Sequence, residues 1–222
     1  TELVDRFHET TIRPALTSSG SRLDDGDVEA IVAEIMEGRS LDDPLRVFAY
    51  GSLLWNPAFE PETEVPAIAL GWHRAFRMKQ TSWRGSPDNP GLMMVLDRGG
   101  SCRGMLMSIA SDRRQAALKA LIRREMSTRS TANQPRWIPV DVNGKREAAL
   151  AFCIDRASAV YAGRQAENDV ADILARAIGP AGSCAEYLLK TVNSLEQHQI
   201  RDRSLLRLQA LVAERIAARL PG

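Results

Sequence analysis

Between Arg46 and Ile154 the chain reads as one strand after another, and a single helical stretch, about Asp112 to Met126, breaks the series. That order limits the fold more than any other feature. Segments rich in β-branched, aromatic and other apolar residues run over Arg46–Tyr50, Ala67–Lys79, Gly91–Leu96, Gly104–Ile109, Trp137–Val142 and Glu147–Ile154. Asp141-Val142-Asn143-Gly144 carries the Asn-Gly signal of a tight hairpin. Ahead of the strands, a polar start that ends in Thr17-Ser18-Ser19-Gly20 predicts a short helix and a linker. Val28, Ile31, Val32 and Ile35, spaced by three and four, predict a second helix over Asp24–Glu37, stopped by Gly38 and Pro44. After Ile154 the pattern is helical, at about Gln165–Ile178, Ala181–Gln197 and Asp202–Leu220, with Gly179-Pro180 parting the first two. The expectation is an α+β fold: a small closed or half-closed β-barrel, mixed or antiparallel, with flanking helices and a helical C-terminal third. Residues 1–44 form a helical extension in this reading, and residues 45–222 a single domain.

The totals exclude several classes. A chain of 222 residues can bury a sizeable core, and 44% hydrophobic with 26% charged residues is ordinary for a soluble protein. A net charge of +1 gives no pull toward nucleic acid or an anionic membrane. Arg74, Arg77 and Lys79 alternate with Trp72, Phe76 and Met78, as on a strand with one wet face. No apolar run approaches the roughly 18 residues that cross a bilayer, and the acidic residues Glu2, Asp5 and Glu9 do not suit a secretory leader. Cys102, Cys153 and Cys184 are odd in number and far apart, which predicts reduced thiols packed in a cytoplasmic protein. His8, His73 and His198 show no metal-ligand spacing, so no metal site is expected.

Two local features carry chemistry. Val47-Phe48-Ala49-Tyr50 has the composition of a buried strand and stops at Gly51-Ser52, before the apolar Leu53-Leu54-Trp55. Such a turn either closes an ordinary hairpin or aims successive N–H groups at an anion or a developing oxyanion. The second feature is a carboxylate on an apolar helix face. Counting about 100° per residue from Leu118 puts Leu121 at about 300°, Ile122 at about 40° and Glu125 at about 340°. Arg123 and Arg124 fall well away from that face, whereas Arg114 falls near it in the first turn, where it can reach solvent or an anion. A carboxylate so placed is either a desolvated acid–base group or half of a structural ion pair.

Several stretches, in order, resemble the γ-glutamylcyclotransferase superfamily. Tyr50-Gly51-Ser52-Leu53 after a first strand is similar to its glycine loop, and Trp55-Asn56-Pro57-Ala58-Phe59 narrows the likeness to the ChaC-type branch, which acts on glutathione. Gly71–Phe76, Arg84–Pro87, Pro90–Leu92, Asp97–Gly104, Arg123–Met126, Tyr161–Gly163, Tyr187-Leu188 and Thr191-Val192 agree in sequence order. Ser86 departs from the threonine usual in the family. The likeness covers about Leu45 to Leu208.

The resemblance implies a compact barrel flanked by helices and an enzyme that splits glutathione into 5-oxoproline and Cys-Gly. It implies Glu125 as the catalytic acid–base group, with substrate held by Tyr50, Gly51, Ser52, Leu53 and Tyr161. Arg84, beside Trp83 in a Gly/Pro-rich loop, is a further candidate, able to bind a carboxylate by its planar fork or to sit solvated. No metal or organic cofactor follows. The expected partner is a small molecule, glutathione or a related γ-glutamyl peptide, with no nucleic acid and no membrane. A cyclotransferase for another γ-glutamyl amine, or a non-catalytic binding module of this fold, remains an alternative.

Overall fold

Asn143 and Gly144 both take positive φ, 53° and 84°. That is what a two-residue hairpin turn demands of its central residues, and Asn and Gly supply it most readily. The turn joins β4 (Asn133–Val142) to β5 (Lys145–Ile154), which pair antiparallel from Asn133↔Ile154 to Val142↔Lys145. This hairpin belongs to a computed structural model that describes residues 2–11, 23–40, 43–126 and 131–220. The expected linker at Thr17–Gly20 lies outside the described residues.

The chain divides into two compact units. The barrel unit comprises Gly20–Ala75 and Val95–Ser158; the helical unit comprises Thr1–Ser19, Phe76–Met94 and Ala159–Gly222. β1 (Leu45–Ala49), β2 (Thr63–Gln80), β3 (Gly91–Ile109), β4 and β5 close in the order β1-β3-β2-β4-β5, and only the end of β2 and the start of β3 fall outside the barrel unit. β1 is antiparallel to β3, with Ala49 opposite Met105, and parallel to β5 at Val47↔Leu150. The barrel is therefore closed and mixed. Val47, Phe48, Ala49, Leu96, Leu150 and Cys153 are 0% exposed and form its core. Burial pushes the Cys153 thiol up to about 12, which suits a packing residue.

The two expected segments Gly91–Leu96 and Gly104–Ile109 belong to one paired strand, β3. The break survives as an exposed bend, with Gly99 at φ 106° and Gly100 at φ 70°. Gly104 is required by close approach. A Cβ there would meet the Ala49 carbonyl oxygen at 2.3 Å and Phe48 Cζ at 2.7 Å.

α2 (Asp25–Met36) starts at Asp24, whose carboxylate accepts from the Asp27 N–H while Asp27 reciprocates in a capping box. It packs on α3 (Arg114–Glu125) through the ion pairs Lys119–Glu29 and Arg123–Asp25. Trp137 Nε1 donates to the Ile35 carbonyl at 3.0 Å and ties the end of α2 to β4. Arg114, expected to face solvent or an anion, is 8% exposed and donates to the carbonyls of Ser40 and Asp43 at 3.1 and 2.9 Å. The loop before β1 engages its Nη1.

The helical unit holds α1 (Glu2–Thr10), α4 (Glu167–Leu174), α5 (Cys184–Gln197) and α6 (Arg203–Ala217), with α6 against the other three. Asp202 caps α6 by accepting from Ser204 and Leu205 N–H groups. Between α4 and α5 the chain makes a two-residue ladder, β6 (Ile178–Gly179) with β7 (Gly182–Ser183), where helix had been expected on both sides of Gly179-Pro180. Among the described residues no helix is long and apolar enough to cross a membrane.

Candidate active site

β1 delivers Tyr50 to the edge of the barrel and fixes it at two points. The Tyr50 hydroxyl donates to the Phe152 carbonyl at 2.8 Å, and its own carbonyl accepts from Arg74 Nη1 at 2.8 Å. At 8% exposure Tyr50 is therefore a buried anchor for the turn that follows it. Gly51 turns the chain with φ −141° and ψ −126°, on the negative-φ side rather than in the left-handed region. A short 3-10 turn over Ser52–Leu54 follows, with Leu54 N–H bonded to the Gly51 carbonyl at 3.0 Å and Asn56 N–H to that of Ser52 at 2.9 Å. The N–H groups of Gly51, Ser52 and Leu53 precede the first bond of that turn, so the turn itself does not use them. Leu53 and Leu54, 6% and 8% exposed, pin the loop from below.

Glu125 is the last residue of α3, and the helix ends as Met126 N–H bonds the Ile122 carbonyl. Leu118, Leu121 and Ile122 are at most 1% exposed, so the apolar face is buried as its periodicity predicts. The Glu125 side chain continues that face at 16% exposure. Arg124 Nε donates to Glu125 Oε1 at 3.1 Å, and Asn133 Nδ2 donates to Oε2 at 3.1 Å. Arg124 also reaches Ser52 Oγ through Nη2 at 3.0 Å. One guanidinium thus ties the carboxylate to the glycine loop. Burial pushes the Glu125 carboxyl above its ordinary value; the charge and hydrogen bond of Arg124 and the hydrogen bond of Asn133 pull it partly back. The site therefore contains a carboxylate biased toward holding a proton, next to a turn rich in N–H donors. Ser52, with an arginine rather than a base against its hydroxyl, is not activated as a nucleophile.

Glu125, Gly51, Ser52 and Leu53 come together in the barrel unit, with Tyr50 beneath them. Arg124 and Asn133 join them without having been anticipated. Adjacent helix positions do not face each other, so the sequence put Arg124 elsewhere; its long side chain folds back. Nothing local to Asn133 marks it: its place follows from the register of β4.

Tyr161 and Arg84 belong to the helical unit. Tyr161 is half-buried and forms an isolated bridge to Met78, flanked by bonds from Lys79 N–H to the Val160 carbonyl and from Ala162 N–H to the Arg77 carbonyl, each 2.8 Å. Arg84 is buried rather than solvated. It is 7% exposed and its Nη1 donates to the Ser183 carbonyl at 2.7 Å and to Glu186 Oε2 at 3.0 Å. One nitrogen of its planar fork is engaged by the protein's own carboxylate.

The sequence profile of the family described as ChaC-like protein matches residues 45–215. A glutathione-specific gamma-glutamylcyclotransferase of Escherichia coli (strain K12) is 31% identical over 193 residues, covering 86% of this chain and 83% of that protein. A mouse protein, glutathione-specific gamma-glutamylcyclotransferase 1, is 26% identical over 84% of this chain and 78% of its own length. The crystal structure of a yeast gamma-glutamyl cyclotransferase specific to glutathione superposes with a TM-score of 0.69 at 21% identity, covering 78% of this chain and 96% of that one, a likeness of fold. A barrel, glycine loop and helix-borne glutamate in one unit, under a profile match that spans most of the chain, place this protein in the ChaC-like family.

Proposed function

We propose that the chain is a glutathione-specific γ-glutamylcyclotransferase with Glu125 as its acid–base group. The observation that carries this reading is the Glu125 carboxylate, desolvated and tied through Arg124 to Ser52 of the glycine loop. In a γ-glutamyl amide the α-amine can attack the γ-carbonyl carbon of the same molecule. A C–N bond forms to close a five-membered lactam, and the scissile amide C–N bond breaks to release Cys-Gly. Folding the substrate so that amine meets carbonyl removes on the order of 7–11 kcal/mol of barrier in the best cases. Glu125 takes one proton from the α-ammonium and passes it to solvent, then takes the second that the nitrogen sheds as the lactam closes and returns it to the departing amine, so the carboxylate is regenerated. Its upward-shifted pKa suits both transfers better than that of an ordinary solvated carboxylate would. The N–H groups of Gly51, Ser52 and Leu53 are assigned to the oxyanion or to the substrate's α-carboxylate. Tyr161 is assigned to substrate holding on the family pattern, and Arg84 to the internal tie with Glu186. Three buried cysteines, none of them in a disulfide, fit a cytoplasmic location.

The test is incubation of the purified protein with glutathione. Equal amounts of 5-oxoproline and Cys-Gly are expected, at the same rate with EDTA present, because no step calls for a metal-activated water. γ-Glutamyl-alanine turned over as well as glutathione would keep the reaction and remove the specificity. No 5-oxoproline from either would leave a binding module and overturn the reading.

A further inference from the structure

Asn133 is 8% exposed, and the two ends of its amide are treated unequally. Nδ2 donates to Glu125 Oε2 at 3.1 Å, while Oδ1 is fully buried and has no hydrogen-bond partner among the described residues. Buried acceptors left unpaired are rare in folded proteins. Turning the amide end for end would set its oxygen against an ionised carboxylate, so Glu125 itself fixes Nδ2 inward and leaves Oδ1 for another donor. The pairing Asn133↔Ile154 at the start of β4 holds the residue in place.

We propose that Asn133 is a substrate-contacting residue: its Oδ1 accepts a hydrogen bond from the α-ammonium of the γ-glutamyl substrate while its Nδ2 holds Glu125. The inference rests on the reading of Glu125 as the acid–base group. That reading requires the ammonium within reach of the carboxylate that deprotonates it, and Asn133 is bonded to that carboxylate. A neutral acceptor orients an amine without retaining its proton. A second carboxylate at this position would hold the ammonium charged and raise Glu125 further. Among the described residues, the charge facing Glu125 is Arg124 on its own helix. The 3-10 turn and β4 present the neutral Ser52 and Asn133, and Asp25 and Glu29 of α2 are occupied by Arg123 and Lys119.

The experiment compares glutathione with glutaryl-cysteinylglycine, which lacks the α-amine and cannot cyclise. Asn133→Ala should raise KM for glutathione about 10- to 100-fold, as loss of a bond to a charged group does. The inhibition constant of the deaminated analogue should stay within about twofold. Equal weakening of both ligands, or of neither, would overturn the proposal. Asn133→Asp keeps the acceptor and loses the donor. Its KM should be at or below the wild-type value, while the acid limb of the kcat profile moves up by about one pH unit. A KM raised as far as in the alanine variant would overturn the proposal, and this nearly isosteric variant decides alone where the alanine variant does not fold. Glu125→Gln separates the two levels. If it turns over like wild type, the acid–base reading has failed. If it is inactive while both Asn133 variants behave as wild type, only this inference has.

Discussion

Replacing Arg124 with methionine should uncouple the glycine loop from the acid–base group. Two bonds are lost, Nε to Glu125 Oε1 at 3.1 Å and Nη2 to Ser52 Oγ at 3.0 Å. Glu125 then keeps Asn133 but loses its countercharge, and burial pushes its pKa up with less opposition. An opposite charge in contact with a carboxylate lowers its pKa, so removing Arg124 lets burial carry the Glu125 pKa higher. The acid limb of kcat/KM should move up by about one pH unit, and turnover at a pH below that limb should fall about tenfold more than above it. Breaking a fully buried pair costs about 3–5 kcal/mol, but here Glu125 can take up a proton instead, so a loss of about 1–2 kcal/mol is expected. A pH–rate series with thermal melts on both proteins measures all of this. A variant that melts lower but keeps the wild-type pH profile would refute the reasoning, since Arg124 would then be a brace without influence on the carboxylate.

Gly51→Val should abolish turnover in a protein that still folds at low temperature, because a branched side chain crowds the N–H groups of the turn; near-native rates would reduce the loop to a simple connection. Gly104→Ala should lower stability by about 1–3 kcal/mol, since its methyl would press on the Ala49 carbonyl and the Phe48 ring. Denaturant melts check it, and unchanged stability would show that β1 and β3 can part freely. Tyr161→Phe should raise KM about tenfold with a smaller change in kcat, as loss of one substrate hydrogen bond does; an unchanged KM would return Tyr161 to a packing role.

What was legible in the sequence is what short range determines. β1 and its abrupt end, the Asn143-Gly144 turn and the capped α2 each depend on residues a few positions apart. Glu125 was legible because helical periodicity alone sets its face against Leu121 and Ile122. Partners far along the chain were not. Arg84 finds the Ser183 carbonyl 99 positions away and Glu186 102 away, so its burial has no local signature. Arg114 likewise finds Ser40 and Asp43 only after the barrel unit assembles. Arg124 was misplaced because a helical wheel locates Cβ atoms, while a long guanidinium can fold back to the neighbouring position. Asn133 carried no signal, since its meeting with Glu125 is made by strand register. The two-residue ladder β6–β7 is too short for periodicity to register.

Glutathione turnover by Glu125→Gln, measured with its thermal stability, tests the central claim most directly. Glutamine keeps the size and an acceptor for Arg124 but cannot carry the proton. kcat should fall roughly 10²–10⁴-fold with KM little changed. Because folding raises the Glu125 pKa, its contribution to stability is present below the pKa of the unfolded chain and is lost as pH rises through the folded value. The glutamine variant lacks that loss, so at neutral pH it should melt at the wild-type temperature or above. A variant that turns over glutathione near the wild-type rate, yet melts clearly lower, would make Glu125 a structural ion-pair partner of Arg124 and contradict the account.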